Sequence, residues 1–145
     1  NNANNTTNND LQNTLIIVKG KKYKATSAAN SKNPTVTFLG NINKKAKNVK
    51  VPASINYNNV NYKVTAIAPN AFNNKNIRSV VVGKNVRVIG KNSFKGCKNL
   101  KTLVIKGKKL KKIKKGAFKN ANSKIVIKCA KGQGKKYRKL VRESR

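Results

Sequence analysis

Apolar and polar residues alternate at a period of two in several stretches of this chain, the signature of half-buried β-strands. Residues 1–13, NNANNTTNNDLQN, are different: seven asparagines and almost nothing apolar read as a disordered linker or tail. From Leu15, LIIVKGKKYKAT places two short apolar runs around Lys19-Gly20-Lys21, a turn signal. TVTFLG sets Val36 and Phe38 on one face and Thr35, Thr37 and Leu39 on the other. Further on, Val49 and Val51 share a face, as do Ile55 and Tyr57, then Val60, Tyr62 and Val64. Asn58-Asn59 separates two of these runs, where asparagine's tolerance of positive φ suits a tight hairpin. Residues 14–63 thus form a β-hairpin region that caps one end of a core.

The second half repeats. Phe72, Phe94 and Phe118 lie 22 and 24 residues apart, and Val64, Val86 and Leu110 keep those spacings, as do Ile67, Ile89 and Ile113. Val80 and Val82 correspond to Leu103 and Ile105, then to Ile125 and Ile127. Ala71, Ser93 and Ala117, all small, precede the phenylalanines. Several positions moving together at one period mean stacked repeats, because one unit cannot cover its own apolar face and its neighbours must. Residues 64–128 supply three such units, with the phenylalanines in an internal column and Ile67, Ile89 and Ile113 beside them. Residues 129–145 close the other end as a short basic helix, with Tyr137, Leu140 and Val141 facing inward. The fold class is a β-rich solenoid.

Charge changes the picture next. Lys and Arg number 35, Asp and Glu only 2, giving +33. The acids are Asp10 and Glu143, and there is no histidine. General acid–base catalysis, glycoside hydrolysis and hard-cation binding all need groups this chain lacks. No catalytic residue, metal site or cofactor is expected. Cys97 and Cys129 have no histidine to activate them, although nearby lysines could lower a thiol pKa. Against that stands the plainer reading of Cys97 as a small apolar filler, with Cys129 either a buried or an exposed thiol. A Cys97–Cys129 disulfide stays open, since its geometry cannot be read from sequence.

Between the inward positions, the strands present Lys50, Val81, Val104 and Val126, with Gly83, Lys106 and Lys128 next and Ser79, Thr102 and Lys124 before. An apolar rail would run beside a lysine and hydroxyl rail, a groove for an extended polymer. Alternatively the valines only satisfy β propensity. The candidate polyanion-binding lysines are Lys50, Lys101, Lys106, Lys108, Lys109 and Lys111, continuing with Lys112, Lys114, Lys115, Lys124 and Lys128. Those from Lys106 to Lys115 form a ridge across the stack. Thirty of the basic residues are lysine and five arginine, which favours diffuse, salt-sensitive attraction over base-specific reading. Tyr23, Tyr57, Tyr62 and Tyr137 are the rings available for stacking, or else pack the hairpins and cap.

The motifs IAPNAF, IGKNSFKGCKNLKTLVI and IKKGAF, preceded by INYNNVNYKVTAI, resemble the BspA-like leucine-rich repeat family across roughly residues 49–145. The resemblance implies a right-handed stack with a parallel sheet on its concave side, capped by the N-terminal β-hairpins and the short C-terminal helix. It also implies a secreted or cell-surface location and roles in adhesion or contact with host and matrix proteins. It carries no catalytic residues. This chain departs from it in charge, with lysine at most surface positions. The function expected is a non-catalytic adhesion or interaction module that binds anionic polymers: wall teichoic acid, sulfated glycan or extracellular DNA. The alternatives are a charge-driven nucleic-acid-binding protein and a self-assembling filament subunit, a homo-polymer. No stretch is long enough to span a membrane, and no targeting segment is present, so a mature or truncated chain is expected. The Asn-x-Thr tripeptides at Asn4 and Asn5 arise easily in such an asparagine tract and carry little weight.

Overall fold

The computed structural model describes residues 14–72 and 74–145; the asparagine-rich segment 1–13 lies outside them. The strands in chain order are β1 (Leu15–Val18), β2 (Lys21–Ala25), β3 (Thr35–Asn41), β4 (Asn48–Val51), β5 (Ser54–Tyr57) and β6 (Val60–Ile67). They continue with β7 (Ser79–Val82), β8 (Val88–Ile89), β9 (Thr102–Ile105), β10 (Lys112–Ile113) and β11 (Val126–Cys129), and the helix α1 (Gly134–Glu143) ends the chain. Among the described residues these strands form two sheets. A long sheet runs β1-β2-β3-β6-β8-β10 with β5 added on β6, and a shorter one runs β11-β9-β7-β4. The chain passes from one sheet to the other in each coil: β3 to β4, β6 to β7, β8 to β9, β10 to β11. The result is a β-solenoid of about four turns with parallel sheets.

Turn chemistry explains why the chain coils. The residue two before each repeat phenylalanine is left-handed: Asn70 at φ 61°, Asn92 at φ 58° and Gly116 at φ 76°. Asparagine and glycine are the residues that reach this region cheaply, so they recur where the chain must bend out of the long sheet. The expected hairpin turns form in the same way, with Lys19-Gly20 and Asn58-Asn59 all at positive φ. Close stacking also needs glycine: a Cβ on Gly83 would lie 2.6 Å from the Pro52 carbonyl carbon, and one on Gly90 2.6 Å from the Pro69 nitrogen, each in the coil before.

The phenylalanine column is present. Ring centroids of Phe72 and Phe94 are 4.5 Å apart and those of Phe94 and Phe118 4.8 Å, with interplanar angles of 9° and 15°. This matches the roughly 4.7–4.9 Å between neighbouring strands. Equivalent positions in successive coils are one strand apart, so equivalent rings must stack. Phe38 extends the column at 5.4 Å from Phe72, and Tyr23 meets Phe38 edge-on at 5.7 Å. Ile67, Ile89 and Ile113 pair in register beside them and are buried. Ile77 and Leu100, at equivalent places after the phenylalanines, are also fully buried, which the strand pattern did not reveal.

Within the 14–63 segment expected to be a hairpin cap, β3 and β4 pair in parallel with β6 and β7 and already form a coil of the stack, because Val36, Phe38, Val49 and Val51 carry its inward side chains. Antiparallel β1 and β2 continue the long sheet from β3. On α1, Tyr137 and Val141 are buried, Leu140 is half-buried, and the Tyr137 hydroxyl donates to the Gly107 carbonyl at 3.0 Å. Asparagine amides tie the coils together at their turns. Asn74, Asn85, Asn99 and Asn122 donate through Nδ2 to the carbonyls of Ala46, Ala53, Lys75 and Leu100 in the preceding coil. The Ala53 carbonyl also accepts the Val64 backbone N–H of β6, at 3.0 Å.

Candidate functional site

The shorter sheet carries two outward rows. Its pairing aligns Asn48, Ser79, Thr102 and Val126 in one row and Lys50, Val81, Val104 and Lys128 in the other. Val126 therefore does not continue the rail of Val81 and Val104. Lys128 takes that place, and Val126 stands beside Thr102 at 55% exposure. Likewise Ile127 and Cys129, not Ile125 and Ile127, align with Leu103 and Ile105, and Lys124 lies in the turn before β11. The cause is loop length. Phe118 is as far from Ile127 as Phe94 is from Leu103, so Ile125 falls in the turn position of Lys101 despite its apolar side chain. The rail is two half-buried valines with a lysine at either end.

Every lysine singled out in the sequence is exposed, but the fold does not gather them into one patch. Lys50 and Lys128 project from the shorter sheet, with Lys101 just before β9 and Lys106 just after it. Lys108 and Lys109 occupy the turn to β10, Lys111 and Lys112 lie at β10 in the long sheet, and Lys114 and Lys115 begin the next phenylalanine turn. The run from Lys106 to Lys115 thus follows one side of a single coil, from the end of β9 past β10.

A groove brings part of this set together with residues that sequence reasoning missed. It follows the turns that leave the shorter sheet and is walled by the β5–β6 hairpin. Three depressions of about 350, 340 and 770 Å³ make it up, sharing Lys50, Ala53, Ser54, Lys84 and Gly107 among their linings. Lys19 and Lys21 stand at one end, Lys108 and Lys109 at the other, and Lys63 is on the hairpin wall. Lys109 Nζ donates to Asn85 Oδ1 at 3.2 Å, and the same buried Asn85 donates to the Ala53 carbonyl at 2.9 Å. The signal for this site was the insertion: one extra residue between Ile105 and Leu110, relative to Val82 and Val86, adds a lysine to the turn.

Little reaction chemistry accompanies the groove. Glu143 is the one carboxylate side chain among the described residues, and there they form no cluster of three or more metal-ligating side chains. Both cysteines are free. Cys97 is buried, its thiol donates to the Phe72 carbonyl at 3.2 Å, and burial pushes its pKa up to about 11, so it is a core thiol and a poor nucleophile near neutral pH. Cys129 is half-buried at the end of β11. Tyr23, Tyr62 and Tyr137 are buried and Tyr57 half-buried, so packing rather than base stacking is their role. No described helix is long and apolar enough to cross a membrane.

Stacked coils, recurring aromatic turns and parallel sheets define a leucine-rich-type repeat protein. The profile of the BspA type leucine rich repeat region (6 copies) matches residues 53–131, and the chain belongs to that family. Among solved structures it is similar to a leucine rich cell surface protein from Faecalibacterium prausnitzii A2-165. The two share 24% identity and a TM-score of 0.63 over 79% of this chain and 31% of that one. A leucine-rich repeat protein from Bacteroides capillosus shares 20% identity at a TM-score of 0.55, covering 80% of this chain and 98% of that one. One from Bacteroides ovatus shares 18% at a TM-score of 0.52, covering 79% and 37%. The chain spans about a third of the Faecalibacterium protein's length. At these identities the likeness concerns the fold. No curated protein matches the chain.

Proposed function

We propose that this chain is a non-catalytic interaction module, displayed on a cell surface or secreted, that holds anionic polymers through its lysines. The polymers in view are wall teichoic acid, sulfated glycan and extracellular DNA. The observation that carries the reading is the imbalance of charge: 35 basic residues against 2 acids, with the candidate lysines all exposed. Two acids cannot pair 35 basic residues, so most lysines keep their attraction for an outside polyanion, and binding releases that polymer's counterions. Membership of a repeat family used for interaction, and the cell-surface description of the Faecalibacterium relative, support the placement.

The test is binding to teichoic acids, sulfated glycans and nucleic acids across a salt series. Each should bind at low salt, with log affinity falling linearly as log salt rises. Affinities that ignore salt would refute a charge mechanism. Particle size over the same series addresses self-assembly, which predicts long particles once charge is screened.

A further inference from the structure

We infer that the groove beside the β5–β6 hairpin is the seat of binding, and that its occupant is a linear polyol chain joined by phosphodiesters. The inference rests on the polyanion reading above and narrows it to one site and one ligand chemistry. Most lysines here are mobile point charges that must be ordered at the moment of binding. Lys109 is an exception. Its ammonium is held 3.2 Å from Asn85 Oδ1, and Asn85, only 6% exposed, is fixed in turn by the Ala53 carbonyl of the coil before it. One of its three N–H donors is thereby used and two remain for a ligand.

Lys84 is kept open in a different way. The residue stacked on it in the next coil is Gly107, where a Cβ would lie 3.0 Å from Lys84 Cβ, and a φ of +74° further disfavours any side chain. No side chain at that position can cover Lys84. The groove therefore presents the Lys84 and Lys109 side chains from two adjacent coils.

The remaining lining bears on the ligand class. Beside the lysines in the 770 Å³ depression stand Ser54, Asn61 and Asn85, hydroxyl and amide groups that serve a ligand's hydroxyls. No aromatic ring lines that depression or the 340 Å³ one next to it. A single-stranded nucleic acid needs aromatic platforms for its bases, and the one ring lining the groove, Tyr23 in the 350 Å³ depression, is buried. A chain alternating phosphodiesters with hydroxyl-bearing carbons uses both kinds of group present. The depressions have the dimensions of ordinary ligand sites, wide enough for such a slender chain.

The experiment compares two lysine pairs that remove equal charge in the full chain. One is Lys84→Gln with Lys109→Gln, in the groove; the other is Lys111→Gln with Lys112→Gln, at β10 on the long sheet. All four side chains are exposed, and glutamine at 109 still offers Asn85 a donor, so unfolding midpoints should match the parent. A synthetic glycerol-phosphate oligomer and an oligothymidylate of equal charge are titrated over a salt series. The groove pair should lower the salt slope for the glycerol phosphate by about 2, close to one per phosphate contact, and weaken it several-fold more than the outer pair does. For the oligothymidylate the two pairs should act alike. Equal losses of glycerol-phosphate binding in both pairs would overturn the site. An equally large groove effect on the oligothymidylate would overturn the ligand class. A parent protein that binds neither polymer at low salt would instead sink the polyanion reading itself.

Discussion

Replacing Phe94 by alanine removes the ring at the centre of the column, where it is fully buried and stacked on both sides at 4.5 and 4.8 Å. Truncating a core phenylalanine costs about 3–5 kcal/mol, because transfer free energy is lost and the cavity collapses only in part. Each stacked pair is worth roughly 0.5–1.5 kcal/mol beyond area burial. Phe94 has two ring neighbours, and Phe118, at the end, has one. The expected cost is therefore about 5 kcal/mol for Phe94→Ala and about 1 kcal/mol less for Phe118→Ala. Since whole domains are stable by only about 5–15 kcal/mol, and +33 of like charge works against compactness, Phe94→Ala should leave a substantial unfolded fraction. Urea unfolding at fixed high salt, followed by far-ultraviolet circular dichroism, gives both values. A cost under about 2 kcal/mol for Phe94→Ala, or a larger cost at Phe118, would refute the column as the main source of stability.

Salt should stabilise this fold, because it screens repulsion and has few internal ion pairs to weaken: between 0.01 M and 1 M the Debye length falls from about 30 to about 3 Å. A melting temperature that drops with added NaCl would contradict this. Cys97, raised from 9.0 to about 11 by burial, stays protonated in the fold while the unfolded thiol ionises. Its contribution is therefore complete below about pH 9 and lost as pH climbs toward 11. Relative to Cys97→Ala, the parent should lose roughly 2–3 kcal/mol over that window in urea titrations. Thiol reagents should label half-buried Cys129 well before Cys97, as peptide mapping would show. At the left-handed Asn92, glycine should be tolerated and valine should cost about 1–2 kcal/mol, measured by the same unfolding assay.

The coil period was legible because Phe72, Phe94 and Phe118 are committed to one column and nothing else in the chain resembles them. Their neighbours Ile67, Ile89 and Ile113 were legible for the same reason. The register of β11 was missed because Ile125 is apolar and adjoins the strand, so alternation locked onto it. The distance from the phenylalanine was the better ruler. Strands β8 and β10 were invisible, since two residues cannot display a period of two. Of the groove, Lys50, Lys106, Lys108 and Lys109 were named from charge, whereas Lys84 and Lys63 looked like ordinary solvated lysines. Only the β5–β6 wall and the stacking of Gly107 on Lys84 set them apart. Asn85 was overlooked because the inter-coil bonds of turn asparagines depend on which residues the stacking brings into register, and spacing does not display that.

The two ends of the stack pack mainly on the outer coils: the hairpin strands meet β3 and β5, and α1 meets β10 and β11. A tandem duplication of one interior unit would therefore insert a rung without disturbing either terminus. Each added rung lengthens the stack by one strand spacing, about 4.8 Å. The reach of such a module along a polymer is thus quantised, set by unit number rather than by the chemistry of any single residue.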